Sequence, residues 1–291
     1  MTEAGSYRTI LRSSSIIGVA SLINIVSGLV RMKAVALVLG PTGVGLFGLY
    51  QNVVSTGATI SALGLGTVGT KQIADTHGNQ GDIASARRAL FWGTLALALI
   101  GAAIFFLLRG QIATSIFADP QQKPIVGWLT IGLALTVVVG SQAALLTGLR
   151  RIGDLARIQV ASGLLGTIIG VTALWLWPAR GPLLLVLISP LASFVLGHWY
   201  ISKLDPVTAP ATPIGMVAKQ WWGMVQLGVA FMLGTLVVEL GNLVVRSLVQ
   251  RQLGSDELGH FQAAWNIGMT YLTFVLGAMA TDTPNSACLV P

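Results

Sequence analysis

Hydrophobic residues along the chain fall into eight long runs, at 13–39, 44–70, 88–108, 125–148, 157–177, 182–202, 222–250 and 258–280. Each is near or above the roughly 20 residues that a helix needs to cross a hydrocarbon core. All exceed the ~9–11 residues of a transmembrane strand, so the pattern predicts an all-α protein with about eight transmembrane helices. Helix breakers are confined to the intervals: Gly40-Pro41, Asp119-Pro120, Pro178 to Pro182, and a Pro-rich stretch from Asp205 to Pro213. That last stretch predicts a linker over 205–219. It would join a first six-helix lobe, 1–204, to the start of a second lobe, 220–291.

The pattern also repeats. Residues 39–67 align with 253–281 at an offset of 214, with identities at Leu39/Leu253, Gly40/Gly254, Gly45/Gly259, Phe47/Phe261, Asn52/Asn266, Thr56/Thr270, Thr59/Thr273 and Thr67/Thr281. Upstream, Asn24, Ser27 and Arg31 fall on Glu239, Asn242 and Arg246 at an offset of 215. A period this long is too large for a solenoid unit and suits a transporter built from two copies of one bundle. Six helices per copy means that both copies enter the membrane in the same direction, which makes them parallel repeats with a binding site expected between them.

Composition places these runs in a bilayer. Hydrophobic residues make up 54% of the chain, charged residues 9%, and the mean hydropathy is +0.78. A soluble domain carries roughly 25% charged residues. The net charge of +7 is no nucleic-acid footprint, because Lys and Arg sit in short clusters between apolar runs, where they encode topology. More of them fall on the side of the N-terminus, including Arg8, Arg12, Lys71, Arg87, Arg88, Arg150, Arg151 and Arg157, which predicts a cytoplasmic N-terminus. Trp92, Trp128, Trp175, Trp177, Trp199, Trp221 and Trp222 lie near span ends, as an interfacial aromatic belt requires. The first run is too long for a signal-peptide core and reads as an uncleaved first helix.

Chemistry is confined to polar stripes. Glu239, Asn242 and Arg246 are spaced i, i+3, i+7 and share one helical face, as do Asn24, Ser27 and Arg31 in the first run. The second and eighth runs add Asn52, Thr56 and Thr59, and Asn266, Thr270 and Thr273. Ionisable residues inside a bilayer are costly and usually face a cavity or a partner. The expectation is a hydrated cleft lined by runs 1, 2, 7 and 8. Snorkelling to the headgroups is the competing reading for Arg31 and Arg246, and interhelical hydrogen bonding for the Asn and Thr stripes.

Other motifs carry less. Gly64 to Gly69 matches the dinucleotide fingerprint but follows no strand, so no cofactor is implied. Gly166-Thr-Ile-Ile-Gly170 reads as a helix-packing motif. The single cysteine, Cys288, excludes an intramolecular disulfide, and His77, His198 and His260 have no metal-ligand spacing. There is no nucleophile–base constellation, and the chain is not expected to be an enzyme.

The opening 6–51, with Ser13-Ser14-Ser15, Gly28-Leu29-Val30-Arg31, Leu39-Gly-Pro-Thr-Gly-Val-Gly45 and then Gly64-Leu65-Gly66, resembles the Wzx-type O-antigen translocases. Within them it is most similar to the enterobacterial common antigen (lipid III) flippases of the polysaccharide exporter superfamily. The resemblance implies a bacterial inner-membrane protein with two six-helix lobes, moving an undecaprenyl-pyrophosphate-linked oligosaccharide across the membrane by alternating access. Carried onto this chain, it makes Arg31 and Arg246 candidates for holding pyrophosphate, since Arg offers paired donors to phosphate oxygens. Asn24, Asn52, Asn242 and Asn266 become candidates for sugar hydroxyls, and Glu239 a coupling carboxylate or an ion-pair partner of one of the Args. Alternatives are a cation-coupled drug exporter of the same superfamily, or a non-transporting subunit beside polysaccharide polymerase and chain-length proteins. Two full copies of the 214-residue repeat exceed the 291 residues present, and 282–291 reads like an out-of-frame run. The expectation is therefore a truncated product holding one complete bundle and the first two helices of its repeat.

Overall fold

Long apolar runs with few breakers satisfy their backbone hydrogen bonds internally, which inside a bilayer leaves the helix as the economical solution. The computed structural model describes the backbone over residues 3–75, 80–204 and 214–281, and side chains over 18–75, 85–204 and 221–272. The described residues fold into α1 (Glu3–Ala62), α2 (Leu65–Asp75), α3 (Gln80–Leu107), α4 (Arg109–Ser115), a 3-10 turn (Pro120–Gln122), α5 (Lys123–Gly148), α6 (Ile152–Leu176), α7 (Gly181–Ser202), α8 (Ile214–Gln252) and α9 (Ser255–Thr281). No strand occurs among them. The chain is an all-α membrane protein, and six described segments are long and apolar enough to cross a bilayer: 18–62, 85–107, 120–148, 152–176, 181–202 and 221–252.

The first of these holds a break. Gly40 adopts φ 67, ψ −165 inside α1, and Pro41 restarts the helix. A side chain rarely tolerates that φ, whereas Pro is suited to a helix start, so the Gly-Pro pair divides one continuous apolar stretch in two. The second run ends earlier than its expected limit of 70. α1 stops at Ala62, Leu63 (φ 46) and Gly64 (φ 70) turn the chain, and α2 resumes at Leu65. The reason is packing: a Cβ on Gly64 would strike the Gly228 carbonyl of α8. The dinucleotide-like stretch is thus a glycine-lined crossing of helices.

α6 packs most extensively on α7, and the Gly166/Gly170 motif makes this possible. A Cβ on Gly166 would sit 3.1 Å from Ser189 Cα, and one on Gly170 would enter Leu185. The largest buried cluster joins the second half of α1, including Leu49 and Val53, to Leu129 of α5 and Leu174 and Leu185 around the α6–α7 turn. α8 lies across α1, α2 and α3, and α9 lies along α1. Trp92, Trp128, Trp175, Trp177, Trp199 and Trp222 are exposed, as a belt requires. Trp221 departs from it: its ring fills the space above Gly93 of α3 and packs with Met224 and Leu97. Most of the expected linker, 205–213, and the run 282–291 lie outside the described residues.

Candidate functional site

The site is built where the second half of α1 meets α9. Thr42 Oγ1 donates to Asp256 Oδ1. One turn on, a Cβ at Gly45 would lie 2.9 Å from both the Gly259 nitrogen and the Ser255 carbonyl, and a Cβ at Gly259 would strike the Pro41 carbonyl. Another turn on, Gly48 leaves the space that Gln262 fills. Thr42/Asp256, Gly45/Gly259 and Gly48/Gln262 are each equivalent positions at the 214-residue offset. Equivalent residues touch each other only on a two-fold axis, so α1 and α9 cross where the axis relating the two repeats runs. Small residues there let the backbones close up, the usual device for helix association in a bilayer.

Deeper along this contact lies a buried cation. Arg246 is only 7% exposed. Its Nε donates to Gln262 Oε1 at 2.8 Å, and Gln262 Nε2 donates to Asn266 Oδ1 at 3.3 Å. The Trp265 ring lies 5.8 Å from the guanidinium carbon. The two terminal guanidinium nitrogens bond to none of the described residues, yet they are not sealed within the protein. They are free donors for an incoming acceptor. Arg246 stands about 9 Å of helix from the Gln252 end of α8, with its Nε turned onto Gln262.

Glu239 lies two turns further in, about 20 Å from the same end and so near mid-membrane. Its Oε2 accepts from Ser55 Oγ at 2.9 Å, and Ser55 Oγ also lies 3.1 Å from the Asn52 carbonyl. Beside them, Asn52 Oδ1 and Thr56 Oγ1 are buried without a hydrogen-bond partner. Within 4 Å Glu239 pairs with neither Arg31 nor Arg246, so of its two expected roles the ion pair is not formed here. Asn242 is half-buried on the same helix and hydrogen-bonds to no described residue.

Arg31 and Asn24 go elsewhere. Arg31 Nε donates to Thr167 Oγ1 at 2.8 Å and Nη2 to the Gly163 carbonyl at 3.1 Å. Asn24 Oδ1 occupies the space above Gly163, 2.5 Å from where a Cβ would sit. Both side chains are therefore held against α6, and neither snorkels. The four stripes do not line one cleft: Asn24 and Arg31 form an α1–α6 group, while Asn52, Glu239, Arg246 and Asn266 gather at the α1–α8–α9 contact. Three residues escaped the sequence reading. Ser55 adjoins Thr56, Gln262 precedes Asn266 by one helical turn, and Thr167 sits inside the glycine motif; the first two extend stripes already visible.

Long apolar helices and closely crossing small residues at equivalent positions define a multi-pass membrane protein. The same fold occurs in the inward-facing conformation of a multidrug resistance MATE family transporter of the MOP superfamily, with a TM-score of 0.68, 17% identity, and coverage of 87% of this chain and 60% of that one. The sequence pattern of the family described as "Polysaccharide biosynthesis protein" matches residues 10–283, and the chain belongs to that family. It is similar to the lipid III flippases of Escherichia coli (strain K12) and Shigella flexneri, 20% identical to each over 272 residues. The match covers 90% of this chain and spans 63% of the length of each of those curated relatives. These relatives are flippases and a transporter, in agreement with the expectation of a protein that is not an enzyme.

Proposed function

We propose that this chain acts in moving an undecaprenyl-pyrophosphate-linked oligosaccharide, of the O-antigen or enterobacterial common antigen type, between the leaflets of a bacterial inner membrane. The observation that carries the reading is Arg246: a buried cation beside the repeat axis with two unpartnered donor nitrogens. Such a group is costly alone in a bilayer and becomes favourable when a pyrophosphate oxygen pairs with it. Asn242, half-buried and without a partner among the described residues, offers a polar group nearby for sugar hydroxyls. Glu239, held by Ser55, supplies the one intramembrane carboxylate on this stripe and is the coupling candidate. That carboxylate also favours the second reading, a cation-coupled exporter of small molecules. Arg31, satisfied by α6, takes a positioning role in this scheme.

The test is binding by the purified 291-residue chain in nanodiscs, using a polyprenyl-pyrophosphate-linked glycan against the same glycan on an uncharged lipid. The pyrophosphate form binds more tightly, and Arg246→Ala removes the difference, a loss of about tenfold or more for a charge-assisted contact. Arg31→Ala leaves most of the preference in place. Equal binding of both ligands by the unsubstituted chain would overturn the reading, and tight binding of a lipophilic cation instead would favour the second one.

A further inference from the structure

A second hollow lies away from the repeat axis. α3, α5 and α7 enclose a groove of about 850 Å³, walled by Phe91, Leu95, Ala134, Val138 and Phe194. Its volume is within the roughly 300–1,000 Å³ of a ligand pocket, but its wall is almost wholly apolar. One mouth is different: Arg87, Arg88 and His198 stand there, and no carboxylate lines the groove among the described residues. Neither guanidinium forms a hydrogen bond or ion pair with any described residue. The other end continues past Thr130 and Ile131 into a smaller hollow beside Arg109 and Lys123.

The spacing of these cations fits the bilayer. About 28 Å of helix separates Arg88 from Leu107 at the end of α3, close to the ~30 Å of a hydrocarbon core. Arg87 and Arg88 thus stand at headgroup depth in one leaflet, with an apolar channel leading from them toward mid-membrane. A peptide would leave its backbone polar groups unmatched along such a wall. A lipid has no such groups along its chains and carries its one phosphate at the end where the arginines are.

We infer that the α3–α5–α7 groove is a binding site for an anionic phospholipid, its phosphate held by Arg87 and Arg88 and its acyl chains laid along the groove. The site shares no residue with the α1–α8–α9 contact and stands whether or not the flippase reading holds. Each basic residue near a membrane surface favours anionic lipid by several-fold, so two together give a preference of about 10–30-fold.

The experiment is native mass spectrometry of the full chain released from detergent, titrated with phosphatidylglycerol and with phosphatidylcholine. One phosphatidylglycerol is retained about 10–30-fold more strongly than phosphatidylcholine. Arg87→Gln with Arg88→Gln abolishes the preference, while Arg150→Gln with Arg151→Gln, a basic pair outside the groove, keeps it. Ala134→Trp fills the groove and lowers retention of both lipids with the arginines intact. Equal retention of both lipids, or equal losses in the two double variants, overturns the proposal. Should the Arg87/Arg88 variant fail to fold, undiminished retention by Ala134→Trp overturns it just as well.

Discussion

Arg246 and Arg31 occupy equivalent positions in the two copies and yet meet different fates. Arg31 spends its Nε and one terminal nitrogen on Thr167 and Gly163, while Arg246 bonds only through Nε to Gln262. Arg31 is taken up by α6, whereas Arg246 meets Gln262 of α9, which stands where the first copy has Gly48. A buried guanidinium needs at least one fixed acceptor to hold its direction, and Gln262 is that acceptor. Gln262→Leu is therefore expected to destabilise the chain by about 1.5–3 kcal/mol, the value of a hydrogen bond to a charged group, read as a lowered thermal midpoint in detergent. Gln262→Glu keeps the acceptor and is expected to preserve that midpoint. Glu239→Gln retains an acceptor for Ser55 and removes the charge. Its expected signature is unchanged glycan-lipid binding with loss of any dependence of transport on the cation gradient; unchanged gradient dependence excludes Glu239 from coupling.

At the scale of elements, the α1–α9 crossing is sterically exacting on both sides. Gly259 lies on the Pro41 carbonyl and Gly45 on the Gly259 nitrogen, so neither position has room for a methyl group. Gly259→Ala is expected to cost about 1–3 kcal/mol by overpacking, whereas Gly268→Ala, in open space on the same helix, is expected to be neutral or slightly stabilising. Paired thermal unfolding of the two variants separates local crowding from helix propensity. The crossing also makes a cross-link informative. Thr42→Cys with Asp256→Cys places two thiols where the side chains already touch, and a disulfide is expected to form readily and hold this end of the crossing shut. A chain that resists oxidation at this pair would mean that the two helices stand apart in the membrane.

For the whole molecule, the exposed apolar residues, among them Leu37, Leu107 and Val237, form a surface that water would not tolerate and lipid does. Membership of the polysaccharide biosynthesis family and the fold shared with a MATE family transporter agree with that surface. Orientation rests on charge alone, through the clusters at Arg87-Arg88 and Arg150-Arg151 on the expected cytoplasmic side. α6 runs from Ile152 to Leu176, so the turns before and after it face opposite compartments. In a cysteine-free background, Arg150→Cys is expected to react with an impermeant maleimide only from the cytoplasm, and Arg180→Cys only from the opposite side. The reverse pattern would invert the topology, and with it the leaflet assigned to the lipid groove.

Apolar run length and the breakers between runs were sufficient for the all-α membrane class, because a backbone in hydrocarbon has so few ways to satisfy itself; the early stop of α1 at Ala62 was not legible in them. The repeat was legible for the same reason: helix-crossing glycines and polar stripes are demanded wherever two copies must meet, and they recur at the same offset. Periodicity also showed which polar residues share a helical face. It could not show which neighbour that face meets, since side-chain spacing fixes direction around one helix axis and says nothing of the next helix. Only the tertiary structure sent Arg31 and Asn24 to α6, left Arg246 with free donors, tied Glu239 to Ser55 and turned Trp221 inward onto Gly93. Those outcomes depend on the close approaches that Gly93, Gly163 and Gly259 permit, which are properties of pairs of helices.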